Sequence, residues 1–368
     1  MQIKGQTIHS FFKFPANFLT RSDYKAISRR LLESVDWIII DEISMVRADL
    51  LDHIDQVLRL SMKSDKPFGG LPMFWIGDLY QLPPVISSQE EKFYLQNKYG
   101  SPYFFSSDVF KELHDFELIE LSKVYRQKEM KFIRLLNKIR NNEIDEDDLD
   151  EINAQYKTSN LSEEEGLFRI HLCTLNKVAQ AINLDRLSKL STTAHIYQAQ
   201  KSGIIHHTQF PADEQLILKP GAQVMLLRND PQKRFVNGSL AIILHLKTDV
   251  VAVQLEESGE IVEVEAFEWQ MIKYKTNTSD FGSIQTEITG SFKQLPLKLA
   301  WAVTIHKSQG KTFERILVDM GSGAFEFGQA YVALSRCTTL EGLRLAKPLK
   351  LSDIKTDERI VDFMNHYR

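Results

Sequence analysis

The stretch Val35-Asp36-Trp37-Ile38-Ile39-Ile40-Asp41-Glu42-Ile43-Ser44-Met45 decides how the chain is read. Its apolar run, Trp37 to Ile40, has the length of a strand buried on both faces, as in a parallel sheet under helices. Two carboxylates follow it at once. Beyond them Val46, Leu50, Leu51, Ile54, Val57 and Leu58 recur at helical spacing, which predicts a helix laid on that sheet. Gly69-Gly70 breaks the chain, Met73 to Ile76 forms the next predicted strand, and Gly77-Asp78 ends it. Two strands with acidic residues at their carboxyl ends and a helix between them make a βαβ unit, so the fold class is α/β.

The same pattern returns downstream. A helix is predicted from Lys128 to Arg140, with Phe132, Leu135, Leu136 and Ile139 on one face. The acidic stretch Glu143 to Glu151 after it reads as a solvated connector or a helix start. Arg169 to Leu175 (strand) and Asn176 to Leu190 (helix) begin another α/β unit. From Phe210 to Pro296 the apolar residues shorten into clusters: Val224 to Leu227, Leu240 to Leu246, Val250 to Leu255 and Ile261 to Phe267. Asn237-Gly238 and Ser258-Gly259 punctuate them, which predicts a small antiparallel β module. Strands near Leu297 to Thr304 and Arg315 to Val318, then a helix from Gly328 to Ser335, resume the α/β pattern. The expected domains are 1–125, a second made of 126–209 and 296–368, and the inserted β module at 210–295.

Bulk composition narrows the function classes. The 368 residues carry 45 Lys+Arg against 49 Asp+Glu, a formal charge of −4, so a nucleic-acid site would have to be local. Cys173 and Cys337 are the only cysteines and stand far apart, which argues against a disulfide or zinc framework and for a reducing compartment. No run approaches membrane-spanning length, and Met1-Gln2-Ile3-Lys4 opens no signal-peptide core. The expected setting is the cytoplasm, the bacterial cytosol in the first instance, or a nucleus or mitochondrion in a eukaryote, with no membrane partner.

Several segments carry chemistry. Nucleotide hydrolysis needs one carboxylate to hold hydrated Mg2+ and another to orient the attacking water, and Asp41-Glu42 can divide those tasks, although acidic pairs at strand ends are also common without any. In Gly77-Asp78-Leu79-Tyr80-Gln81-Leu82-Pro83-Pro84-Val85, the Gln81 amide can sense a γ-phosphate or position a water because it both donates and accepts. The other reading is a rigid Pro-Pro turn with a surface Gln. Arg126, in Val124-Tyr125-Arg126-Gln127, and Arg336, in Ala333-Leu334-Ser335-Arg336, are either cations for a γ-phosphate or surface salt bridges. Thr304-Ile305-His306-Lys307-Ser308-Gln309-Gly310-Lys311-Thr312 ends like a P-loop, but Ile305 stands where G-x-x-x-x-G-K-[ST] requires glycine. It also follows the acidic strand instead of preceding it. It reads instead as a strand-to-helix loop whose hydroxyl, imidazole and ammonium donors suit the phosphates of a single strand.

Taken in order, these segments resemble the motifs of superfamily 1 helicases, closest to the Pif/RecD-like five-prime-to-three-prime DNA helicases. Gly5-Gln6-Thr7-Ile8-His9-Ser10-Phe11-Phe12 resembles motif Ia, Ile40 to Met45 motif II, Gly77 to Val85 motif III, Val124 to Gln127 motif IV, Thr304 to Thr312 motif V and Gln329 to Arg336 motif VI. The resemblance implies two RecA-like domains of the P-loop NTPase type, the first incomplete, with ATP bound between them and an inserted β-barrel of the Src-homology type facing DNA. It assigns Asp41 to Mg2+, Glu42 to the general base and Gln81 to the γ-phosphate. Arg126 and Arg336 become arginine fingers, and Gly310 joins the nucleotide site. Thr7, His9, Pro83, His306, Lys307 and Ser308 would line the DNA track, and Pro15 to Arg30 occupy the place of a wedge element. ATP and Mg2+ are the implied cofactors. The implied partners are single-stranded DNA and duplex/single-strand junctions, with the protein acting as a monomer. The departure from the family is motif I, whose phosphate-binding Lys belongs upstream of Gly5 in a chain that starts at Met1. Two consequences are expected: no ATP turnover by this chain, and apolar sheet surface left uncovered. The expected function is an ATP-dependent 5′–3′ DNA helicase or translocase by family. The alternative is a truncated paralogue that binds a single strand or a partner without catalysis, and an RNA helicase of the same superfamily is a third reading.

Overall fold

Ile38–Ile40 and Met73–Trp75 pair in parallel, with Ile38 opposite Met73 and Ile40 opposite Trp75. These strands belong to a computed structural model that describes residues 5–14, 19, 23–86, 88–156, 169–203, 205, 207, 210–276 and 284–367. The wedge expected over Pro15 to Arg30 lies partly outside the described residues. The helix between the two strands, Ala48–Met62, buries Leu51, Ile54, Val57 and Leu58, the face that the spacing marked. Past its end, Gly69 approaches so closely that a Cβ would lie 2.7 Å from the Leu58 carbonyl oxygen, and its φ of +67° favours glycine as well.

The strands were expected to be buried on both faces, and they are not. Trp37, Ile39, Phe74 and Ile76 are 58%, 57%, 48% and 45% exposed. The sheet has only these two strands among the described residues, so the uncovered apolar surface that the sequence implied is present. The compact unit to which they belong comprises Met1–Glu120, Ile272–Glu287 and Asp362–Arg368. Its C-terminal piece differs from the sequence assignment, which placed 362–368 in the second domain. The cause is aromatic: Phe363 and Tyr367, on the helix Glu358–Tyr367, pack among Phe104, Phe105, Phe110 and Phe116, with Phe105 and Phe363 stacked at 4.4 Å.

The other unit, Leu121–Met271 and Ile288–Val361, rests on four parallel strands in the order Ala302–Thr304, Ile170–Cys173, Ile316–Asp319, Leu343–Leu345. The helix Met130–Arg140 buries Phe132, Leu135, Leu136 and Ile139, as the periodicity predicts. The acidic stretch is a helix start: Asp145 and Asp148 form a capping box for Glu146–Asn153, and Arg134 and Lys138 pair with Asp148.

In the same unit an antiparallel sheet runs in the order Ile261–Glu265, Val250–Leu255, Leu240–Leu246, Gln223–Leu226, Leu297–Leu299. Alternate residues such as Val251, Val253, Leu255, Val262 and Val264 enter one core with Leu216, Leu218 and Ile243. The module is wider than 210–295. His195–Gln198 pairs with Gln215–Leu218, and Gln200–Gly203 pairs with Ile284–Gln294. The single strand expected from Leu297 to Thr304 is two: Leu297–Leu299 runs antiparallel to Val224–Leu226, and Ala302–Thr304 runs parallel to His171–Cys173. At the break, the Ala300 N–H donates to the Gln223 carbonyl (3.0 Å) and Gln223 Nε2 donates to the Ala300 carbonyl (2.8 Å). No helix among the described residues is long and apolar enough to cross a membrane.

Candidate functional site

In the first unit the carboxylates sit where a strand stops. Asp41 is exposed, and Glu42 takes a left-handed backbone, φ 53° and ψ 47°. That conformation costs a non-glycine residue about 1–2 kcal/mol, so the surroundings must hold it. They do so through a reciprocal pair of bonds: Ile76 N–H donates to the Ile40 carbonyl and Ile43 N–H donates to the Ile76 carbonyl, each at 2.9 Å. Gly77 makes this approach possible, because a Cβ there would lie 3.0 Å from the Ile43 nitrogen and 3.1 Å from Ile43 Cγ2. Asp41 Oδ1 accepts the Glu42 N–H at 2.9 Å.

The loop after Gly77 is organised by Asp78, which the sequence reading did not single out. Its Oδ1 accepts Tyr80 N–H (3.1 Å), its Oδ2 accepts Gln81 Nε2 (3.3 Å) and its carbonyl accepts Gln81 N–H (3.1 Å). Gln81 is thereby held by its amide nitrogen, while its Oε1 is buried with no hydrogen-bond partner. An orphaned buried acceptor costs about 1–3 kcal/mol and fits a site that supplies a donor from outside. Pro83 is half-buried and Pro84 buried beside it. A Mg2+ ion draws most of its shell from water and phosphate and takes one or two carboxylates from protein, which suits Asp41 at the strand end. Among the described residues there is no group of three or more side chains able to hold a metal by themselves.

Thr7 and His9 occupy a short helix, Ile8–Phe12, which Thr7 caps by accepting the Ser10 N–H at 3.3 Å. His9 lies edge-on to Phe14. Partial burial first, and the Arg47 guanidinium second, hold its imidazole below the ordinary value, so it is neutral near pH 7.

In the second unit three motifs converge. Thr304 ends a strand and caps Ile305–Ser308, its Oγ1 accepting Lys307 N–H at 3.3 Å. His306 Nε2 lies 3.0 Å from Glu326 Oε2, and Lys307 is exposed. Ser308 is fully buried and donates to the Ile305 carbonyl (2.7 Å), so the hydroxyl expected on the DNA track is engaged within its own turn. Gly310 turns the chain at φ +73° with open space around its Cβ position. Arg126 Nε then donates to Thr312 Oγ1 (2.9 Å) and its Nη1 to the Ser335 carbonyl (3.3 Å). Arg336, 1% exposed, donates through Nε to the Val332 carbonyl (3.0 Å), through Nη2 to Ser335 Oγ (2.9 Å) and through Nη1 to the Lys311 carbonyl (3.4 Å). Arg336 is therefore no surface arginine. Gln127, also missed, is buried and bonds the Ser335 and Cys337 carbonyls at 2.9 and 2.8 Å. Its only signal in the sequence was its place beside Arg126.

Comparison with known proteins bears on this arrangement. The family model "PIF1-like helicase" matches residues 1–150, and the model "DNA helicase Pif1, 2B domain" matches residues 205–246. The ATP-dependent DNA helicase PIF1 of Xenopus laevis is 33% identical over 354 residues, covering 93% of this chain and 52% of that protein. The chain thus spans about half the length of such curated relatives. The ATP-dependent DNA helicase Pif1 of Campylobacter jejuni is 30% identical over 396 residues, covering 98% of this chain and 84% of that protein. Among solved structures, Pif1 from Bacteroides sp in complex with ADP-AlF4 superposes with a TM-score of 0.86 at 36% identity, covering 98% of this chain and 83% of that one. Bacteroides Pif1 bound to ssDNA gives 0.71 at 38%, covering 99% and 84%. Similarity of this extent, over a RecA-like α/β fold with the motifs in order, establishes that the chain belongs to the Pif1-like helicase family.

Proposed function

We propose that the chain carries the greater part of an ATP-dependent DNA helicase or translocase that moves 5′ to 3′ on single-stranded DNA and at its junctions with duplex. The observation that carries this reading is the lock between two strand ends, where the reciprocal Ile40–Ile76–Ile43 bonds set Asp41-Glu42 beside the loop that holds Gln81. In this reading Asp41 binds Mg2+ and Glu42 takes the proton of the attacking water. Gln81 accepts a hydrogen bond from that water on its orphaned carbonyl, and the amide N–H not given to Asp78 is the donor for the γ-phosphate. Arg126 and Arg336 offset the charge that develops on the phosphate, and Gly310 lets the loop after Ser308 turn toward it. Thr7, His9, Pro83, His306 and Lys307 contact the strand, with Ser308 holding the turn beneath them.

The 368 residues contain no G-x-x-x-x-G-K-[ST], and we infer that this polypeptide alone does not turn over ATP. The test is DNA-stimulated phosphate release, by the chain alone and by the chain joined to a P-loop-bearing strand and helix from a similar relative. The first should show none. The second should show release that falls at least about 100-fold on Glu42→Gln. Release by the chain alone, lost on Glu42→Gln, refutes the inactivity. A joined form that binds single strands yet stays silent favours the second reading, a non-catalytic binding module, for which the missing phosphate loop is the motivation.

A further inference from the structure

A cavity of about 550 Å³ opens at the amino ends of the parallel strands of the second unit, the edge opposite Thr304 and its loop. Three arginines line it, Arg169, Arg315 and Arg344. Ile316 stands opposite Ile170 on one side and Leu343 on the other, so the residues before them, Arg169, Arg315 and Gly342, form one row across the sheet. Backbone bonds hold that row. Ile170 N–H donates to the Arg315 carbonyl (3.2 Å) and Ile316 N–H to the Gly342 carbonyl (3.0 Å). Gly342 admits no side chain, since a Cβ there would collide with the Glu314 carbonyl oxygen, so backbone alone lines the cavity at that point. The Gly342 N–H is held in turn by Thr339 Oγ1 at 3.1 Å.

Backbone acceptors fix two of the guanidinium groups. Arg169 Nη1 donates to the Ile316 carbonyl (3.3 Å), and Arg344 Nη1 donates to the Glu341 and Leu343 carbonyls, each at 2.9 Å. Elsewhere in the unit arginines meet carboxylates directly: Arg134 meets Asp148, Arg234 meets Asp230, and Arg359 meets Asp357. Here they do not. Among the described residues no carboxylate comes within salt-bridge distance of Arg315, and the Glu314 and Glu341 carboxylates, which share the cavity, pair with no cation. Glu256, which acts electrostatically on Arg315, is pushed up to about 8, by burial first and by Glu314 next, so at neutral pH it does not offset that charge. A ligand that satisfies both signs must carry anion and cation together. Phosphate oxygens match the planar fork of a guanidinium, and Mg2+ takes one or two carboxylates while drawing further ligands from phosphate. Arg169 and Arg344 lie on the outer two of three neighbouring strands, about 10 Å apart, a span that suits two linked phosphates better than one.

We propose that this cavity binds a diphosphate group carried with Mg2+, the phosphates on Arg169, Arg315 and Arg344 and the metal beside Glu314 and Glu341. The site is separate from the strand-end carboxylates and from the DNA track, and depends on neither. Its wall adjoins the Arg336 turn. Phe313, next to Glu314, donates its N–H to the Arg336 carbonyl (3.0 Å), and its own carbonyl accepts the N–H of Thr338, a lining residue, at 3.1 Å. Occupancy therefore bears on Arg336 through a single layer of backbone bonds.

The test is isothermal titration calorimetry of the full chain with magnesium pyrophosphate, repeated with magnesium ADP to tell a free diphosphate from one carried by a nucleoside. One saturable site is expected, and the tighter of the two probes names the source. Arg315→Gln should weaken binding about 10- to 100-fold, the worth of a bond to a charged group, and Arg315→Lys should recover part of that loss. Pyrophosphate in excess EDTA should bind at least about tenfold more weakly, and Glu314→Gln should shrink that gap. Asp41→Asn, which removes the strand-end carboxylate, should leave the affinity unchanged. Hydrogen exchange at the Thr338 amide should slow on binding. No binding of either probe, binding indifferent to Arg315→Gln or to magnesium, or binding lost in Asp41→Asn overturns the site. Displacement of pyrophosphate by an oligodeoxythymidine whose own binding is lost in Arg315→Gln also overturns it, since the cavity would then be a contact for DNA.

Discussion

Replacing Gln127 with leucine removes two hydrogen-bond donors from a buried site while nearly preserving volume. The amide nitrogen of Gln127 serves the Ser335 carbonyl at 2.9 Å and the Cys337 carbonyl at 2.8 Å. The Ser335 carbonyl keeps Arg126 Nη1 at 3.3 Å, so the larger penalty falls on Cys337. A net hydrogen bond contributes about 1 kcal/mol and a buried carbonyl stripped of its donor costs about 1–3 kcal/mol. The leucine returns roughly 1–2 kcal/mol of apolar burial. The expected loss is therefore about 1–2 kcal/mol. For a body of this size it lowers the melting temperature by about 2–8 °C. Because the chain has two compact units, a global melt needs a local companion. Hydrogen exchange supplies it at the amides of Phe313 and Thr338, which bond the Arg336 and Phe313 carbonyls at 3.0 and 3.1 Å. Gln127→Glu should be worse than Gln127→Leu, since it sets a carboxylate against two carbonyls. An unchanged melting temperature together with unchanged protection at Phe313 and Thr338 refutes the idea that Gln127 ties the Arg126 segment to the Ser335–Cys337 turn.

Two further outcomes are expected. Gly77→Ala places a methyl 3.0 Å from the Ile43 nitrogen and should cost about 1–3 kcal/mol. It should shift the Ile43 and Ile76 amide resonances and leave those of the second unit in place, and a silent Gly77→Ala would show that the two strand ends need no close contact. Glu256 is raised to about 8 by burial first and by Glu314 next, Arg315 opposing and Glu257 adding to the rise. The folded chain therefore keeps a proton that the unfolded chain releases near 4.5, so stability falls as pH climbs from there to about 8 and levels off above. Glu256→Gln should flatten that decline in urea midpoints measured at about pH 5 and 8.5, and a variant that keeps the wild-type decline refutes the assignment.

What could be read without coordinates was what depends on near neighbours. The apolar run ending at Ile40, the buried stripe of Met130–Arg140 and the turn at Asn237-Gly238 are local patterns, and each has its element. Partners far apart in sequence were not legible. Residues 297–304 are apolar apart from Lys298 and Thr304, so nothing in them announces that Leu299 and Ala302 serve different sheets. Phe363 joins Phe105 across most of the chain, a contact no spacing could foretell. At the site, motif order disclosed Arg126 and Arg336 as a set. That Arg336 is fully enclosed, and that Ser308 turns inward, depends on the packing of the Gly310–Thr312 segment against the Ser335 turn.

The Gln223–Ala300 pair has a mechanical meaning. The chain enters the antiparallel module past Leu190, where Lys219 Nζ donates to the Leu190 carbonyl and Thr192 Oγ1 to the Pro220 carbonyl, each at 2.8 Å. It leaves at Ala300, bonded to Gln223. Both crossings thus attach within a few residues of one strand end, like two pins along one edge of a door. Such a mounting permits tilting about the line through the pins and resists sliding, because sliding breaks every one of these bonds together. The Ile261–Glu265 strand, at the edge of the sheet farthest from the Leu297–Leu299 strand, has the longest lever arm, so a load applied there turns the module most easily.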